Sequence, residues 1–247
     1  MSRNFDILRK SEDATGSFRP ISMPHAPAHG RSSLRDRQSV VEDEITKLVQ
    51  RVFILPETEQ IPDVVAFSGV ESGAGCSWVC ARTSEVLAEK VPGTICVVDA
   101  NLRTPTLHEY FRIEKGAGFA DAIRDSRPLR EFARRAWGGN LWFISAGAVG
   151  REPNGALNPA RLRARFSELR EEFDFILIDT PPSSSYADAV LLGKLADGII
   201  LVVSSNSTRR EPARIAKESF EAAKIPMLGA VLNKRTYPIP EAIYRML

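Results

Sequence analysis

From Val40 onward, short apolar runs alternate with stretches of helical period. The runs are DVVAFS (63–68), TICVVD (94–99), LWFISA (141–146), FILID (175–179), IILVVS (199–204) and LGAVLN (228–233). They are rich in β-branched residues and do not alternate apolar with polar, which predicts strands buried on both faces, as in a parallel sheet. Between them, SVVEDEITKLVQRVF puts Val41, Ile45, Leu48 and Val52 on one helical face. NPARLRARFSELREEF does the same with Leu162, Phe166, Leu169 and Phe173. Asn158 suits the N-cap of that second helix and Pro159 its first helical position. Strand–helix alternation at this spacing predicts an α/β fold with a doubly wound, mostly parallel sheet flanked by helices. Ligands of such sheets bind beyond the carboxyl ends of the strands.

Residues 1–38 break the pattern. SFRPISMPHAPAHGRSS is rich in Pro, Ser, His and Gly, and the segment carries seven Lys/Arg against four Asp/Glu. It reads as a flexible, mildly basic leader, with residues 39–247 forming one α/β domain.

Composition narrows the function classes. The 247 residues suffice for one large domain, and 43% hydrophobic with 26% charged content is ordinary for a globular protein. A net charge of +2 supplies no field for nucleic acid. Cys76, Cys80 and Cys96 form no C-x-x-C pair and no disulfide framework, which fits a reducing compartment. No apolar run approaches the ~20 residues of a membrane span. The chain reads as cytoplasmic.

Three strand ends carry candidate chemistry. After VVAFS comes GVESGAGCS, where Gly73 and Gly75 let backbone N–H groups turn toward an anion and a helix opens near Ser77. The phosphate-loop pattern G-x-x-x-x-G-K-[ST] is met at Gly75 and Ser77. Gly69 stands one position early, and Cys76 occupies the lysine position. Asp99 ends the second strand, with Arg103 four residues on. Asp179 ends the FILID strand before a Pro–Pro break, as a magnesium-binding Walker B carboxylate does.

From about Val40 to Asn233 the sequence resembles the bacterial tyrosine kinases, the BY-kinases, which are P-loop autokinase domains of capsular and exopolysaccharide export. FSGVESGAGCSWVCA is similar to their Walker A segment, ICVVDANLRTPTLHEYF to Walker A′ and FDFILIDTPP to Walker B. YADAVLLGKLADGIILVV and LGAVLNK resemble the segments that follow. The resemblance implies a P-loop NTPase fold of the BY-kinase and MinD-like type. It implies ATP or ADP with Mg²⁺, held by Gly73, Ala74, Gly75, Cys76, Ser77 and Trp78, with Asn233 near the adenine. It implies a metal site at Ser77, Asp99 and Asp179, and catalytic roles for Asp99 and Arg103. Its implied partners are a membrane polysaccharide chain-length or export protein and further copies of the chain, with peripheral placement at the inner membrane through that partner.

The departures from the family pattern share a direction. Cys76 replaces the lysine that stabilises the transferring phosphoryl group. Asn101 replaces the second carboxylate of Walker A′. The E-x-x-R-x-x-R oligomerisation pattern reads Glu44, Lys47, Gln50, with Arg51 nearby, and only Tyr237 and Tyr244 stand where the family has a tyrosine cluster. A thiol at a helix N-terminus is expected to have a lowered pKa and, as thiolate, to repel phosphate. These changes predict a regulatory module with weak or lost kinase activity. The alternative is an active autokinase or ATPase that uses a substitute cation, with Arg103, Arg209 and Arg210 as candidates. A partition-type ATPase would carry a lysine at position 71, where this chain has Glu71. His108 is expected in a loop.

Overall fold

The computed structural model describes residues 21–24, 33–56, 60–148, 157–205 and 207–235. The strands are β1 (Ile21–Pro24), β2 (Val64–Gly69), β3 (Ile95–Asp99), β4 (Ala133–Trp137), β5 (Leu141–Ile144), β6 (Phe175–Thr180), β7 (Gly198–Ser204) and β8 (Met227–Arg235). They form one sheet in the order β1-β8-β7-β2-β6-β3-β5-β4. Every pairing is parallel except β4 with β5. The six apolar runs became β2, β3, β5, β6, β7 and β8, and the mostly parallel sheet is the predicted one.

The helices are α1 (Ser33–Val49), continued by a π-helical turn at Gln50–Ile54, then α2 (Cys76–Lys90), α3 (Leu107–Phe111), α4 (Phe119–Arg124), α5 (Pro159–Glu172), α6 (Asp188–Gly193) and α7 (Arg210–Ala222). Successive residues of a strand point to opposite faces. Val65, Phe67, Val97 and Leu177 therefore pack beneath α1, α2 and α3. Ala66, Val98 and Ile178 pack beneath α4, α5, α6 and α7 on the other face. All residues of β2 and β3 are buried, which is why those runs lack alternation.

Two elements were not predicted. In β4 (ARRAW) no residue is fully buried, so it has no apolar signal. It turns into β5 through Gly138 and Gly139, both at positive φ, as a tight hairpin requires. The edge strand β1 lies inside the expected leader and pairs with β8, and α1 begins at Ser33, ahead of the expected boundary at residue 38. The rest of the leader, and Tyr237 and Tyr244, lie outside the described residues.

Asn158 caps α5 as expected, its Oδ1 accepting from the N–H groups of Ala160 at 3.0 Å and Arg161 at 3.2 Å. Asn158→Ala is expected to cost about 1 kcal/mol and to lower the melting temperature by roughly 2–4 °C, read by thermal denaturation. An unchanged melt would show that solvent replaces the cap.

Candidate functional site

At the carboxyl ends of β2, β3, β6 and β8 lies a cleft of about 660 Å³. Its floor is the loop after β2. Val70 N–H anchors the loop to the Val202 carbonyl at 3.0 Å, and Ala74 N–H turns back to the Glu71 carbonyl at 3.2 Å. Gly73 and Gly75 take φ of 79° and 84°, which side-chain-bearing residues rarely adopt. Gly75 is the N-cap of α2 and brings no capping side chain. The first N–H groups of α2 therefore lack an acceptor within the helix and face the cleft with its positive dipole end.

Of the sequence-predicted residues, Gly73, Ala74, Gly75, Cys76, Ser77, Trp78 and Asn233 all line this one cleft. Asn233 Nδ2 donates to the Ala74 carbonyl at 2.9 Å, tying β8 to the loop. A Cβ at Gly75 would collide with that same amide, so glycine is required there by contact as well as by φ.

Beneath the loop, Asp99 and Asp179 occupy paired positions on adjacent strands, and both are fully buried. Ser77 Oγ donates to Asp179 Oδ2 at 2.5 Å. Asp99 Oδ2 accepts from Leu107 N–H at 3.3 Å. Oδ1 of each aspartate has no partner. Burial, and for Asp99 also the Asp179 charge, push both carboxyls up, Asp179 to about 6, with hydrogen bonds from Ser77 and Cys76 pulling the other way.

Two buried, unpartnered carboxylate oxygens beside a serine hydroxyl form an all-oxygen donor set that fits a hard divalent cation. Among the described residues no group of three or more His, Cys, Asp or Glu could hold a metal. Mg²⁺ takes one or two carboxylates and completes its shell with phosphate and water.

The Cys76 expectation is corrected. Its thiol is pushed well above the ordinary range, by burial first and by the Asp179 carboxylate next. These outweigh the helix N-terminus because the dipole contributes only about 0.3–1 kcal/mol. Cys76 therefore stays neutral and places no thiolate against a phosphate. The substitution removes a cation without adding an anion.

The other candidates are committed elsewhere. Arg103 Nε donates to Asp188 Oδ2 at 3.1 Å, its guanidinium lies 4.0 Å from the Tyr186 ring centroid, and it does not line the cleft. Arg209 and Arg210 are exposed at the start of α7 and are likewise absent from its walls. Asn101 does line it, but its amide is engaged with Thr104, accepting from Thr104 N–H and donating to Thr104 Oγ1, each at 3.2 Å. His108 lies in α3, not in a loop. Sequence reading missed Thr104, Thr106, Tyr110, Thr180 and Lys234, all of which line the cleft. Each had a signal in a quoted motif: Thr104, Thr106 and Tyr110 in ICVVDANLRTPTLHEYF, Thr180 in FDFILIDTPP and Lys234 in LGAVLNK. A second cavity, of about 360 Å³, sits where α6 and α7 end, and no candidate residue lines it.

The parallel sheet, the glycine loop opening a helix and the paired strand-end aspartates define the class: a P-loop NTPase fold. The MinD protein from Pyrococcus horikoshii OT3, solved with Mg-ADP, superimposes with a TM-score of 0.61 at 21% identity, over 74% of this chain and 76% of that one. The chimerical protein CapA2B2 gives 0.77 at 20% identity, over 89% and 96%. No family model matches the chain. Tyrosine-protein kinase YwqD of Bacillus subtilis (strain 168) is 30% identical over 161 residues, covering 65% of this chain and 68% of that protein. The chain belongs to the bacterial tyrosine kinase family. Longer tyrosine-protein kinases also match, and of those the chain spans about a quarter. Among the described residues, no helix is long and apolar enough to cross a membrane.

Proposed function

We propose that this chain binds ATP or ADP with Mg²⁺ in the β2–α2 cleft and acts as a regulatory relative of the tyrosine kinases in capsule or exopolysaccharide biosynthesis, with weak or lost phosphoryl transfer. Gly73, Ala74, Gly75, Cys76, Ser77 and Trp78 would hold the phosphates. Ser77, Asp99 and Asp179 would hold the metal, whose part is to neutralise phosphate charge. Asn233 would lie by the adenine. A membrane polysaccharide chain-length or export protein is the proposed partner, which would place the chain in the cytoplasm at the inner membrane.

One observation carries the reading. The glycine loop opens α2 and two buried carboxylate oxygens stand unpartnered beside Ser77, while position 76 presents a half-buried thiol where the family pattern has a cation. Binding rests on backbone donors and the metal, whereas transfer needs charge stabilisation at the moving phosphoryl group. Arg103, the proposed catalytic cation, would have to leave Asp188 and Tyr186 to serve.

Calorimetric titration with ADP tests the binding half. Mg²⁺-dependent saturation is expected, and it should be lost in Asp99→Ala. Saturation that is indifferent to Mg²⁺ would overturn the metal assignment, and no saturation at millimolar ADP would overturn the nucleotide site.

A further inference from the structure

Lys234 is the only cationic side chain among the described residues that line the cleft, and Glu71 the only acidic one. Lys234 lies near the end of β8 with φ of 58°, in the left-handed region that strand residues avoid. Its N–H is held by Asn233 Oδ1 at 2.8 Å. Its Nζ donates to the Gly73 carbonyl at 2.6 Å, while Asn233 Nδ2 holds the Ala74 carbonyl at 2.9 Å. Two consecutive residues of the last strand thus grip two consecutive carbonyls of the phosphate loop.

A neutral carbonyl is a weaker partner for an ammonium than a phosphate oxygen, because charge-assisted bonds are roughly twice as strong. Lysine is a compact point charge on a flexible four-carbon stem, able to change acceptor without moving the backbone. Resting on the nucleotide reading above, we infer that Lys234 is the phosphate-binding cation of this chain, supplying from the last strand the charge that position 76 lacks. It approaches the loop at Gly73, away from the Ser77–Asp179 contact where the metal would sit. A cation there holds phosphates in place of the missing lysine without standing at the position from which that lysine acts.

A purely structural Lys234, pinning Gly73, would affect every ligand of the cleft alike. A phosphate-binding Lys234 affects only ligands that carry phosphate. The test is therefore calorimetry of Mg-ADP and of adenosine against wild type, Lys234→Met and Lys234→Arg, with thermal melts to verify folding. Lys234→Met is expected to weaken Mg-ADP by about 10- to 100-fold and leave adenosine unchanged. Lys234→Arg should keep most of the ADP affinity, and the methionine variant should lose part of the salt dependence. Equal ADP affinity in wild type and Lys234→Met would overturn the inference while leaving the nucleotide site standing, as would a loss shared equally by ADP and adenosine. Failure of the wild type to bind Mg-ADP at all would overturn the nucleotide reading and this inference together.

Discussion

Cys76→Lys is expected to raise phosphotyrosine formation and ATP hydrolysis by roughly 100- to 1,000-fold over wild type, the scale on which single preorganised charge-stabilising donors act. Phosphoryl transfer makes few covalent demands on the protein, so positioning and electrostatics carry almost all the acceleration. The wild-type thiol is a weak donor and is pushed up by burial and the Asp179 charge. A lysine would place a charge at the head of α2, beside Ser77. Radiolabelled ATP with a phosphotyrosine readout measures the gain. Mg-ADP affinity should also rise by at least tenfold, and an unchanged affinity would mean that the loop does not present residue 76 to the phosphates.

The second large effect concerns the buried carboxylate pair. Asp179 is pushed from 3.8 to about 6, chiefly by burial. The folded state therefore holds its proton more tightly than the unfolded chain does. Well below pH 3.8 both states are protonated and the group is neutral toward stability. Between pH 4 and 6 the unfolded chain releases its proton first, so stability falls as pH rises, and above about 6 the deficit is constant. Asp179→Asn is expected to stabilise the metal-free protein at pH 7.5, read as a raised melting temperature. The gain should shrink as pH falls from about 6 and vanish well below pH 3.8. Ser77 keeps an acceptor in the amide oxygen. Melts across this range check the sign, and destabilisation at pH 7.5 would contradict the unpartnered state of the two carboxylates. The same variant should lose the Mg²⁺ dependence of nucleotide binding.

The sheet was legible because β2, β3 and β6 are covered on both faces and so read as unbroken apolar runs. Asn158 was legible because a cap acts over two or three residues. The exposed strand β4 and the edge strand β1, whose pairing is a backbone matter, leave no such pattern. In the candidate site, sequence reading found residues that motifs carry, Asn233 of the last strand among them, but not the contacts that the fold makes across the chain. Lys234 meets Gly73 across 161 positions of chain. Arg103 looked available until the structure paired it with Asp188, 85 positions away. The direction of the Cys76 shift was missed for the same reason: the helix N-terminus is visible in sequence, whereas burial and the nearness of Asp179 are not.

The central claim is that the cleft holds nucleotide while transferring its phosphate slowly or not at all. Purified wild-type protein incubated with saturating ATP and Mg²⁺ or Mn²⁺, sampled over hours for both ADP and phosphotyrosine, tests it most directly. Bound ATP recovered intact, with no phosphotyrosine above the level of Asp179→Ala, is the predicted result. Robust turnover that Asp179→Ala abolishes would contradict it.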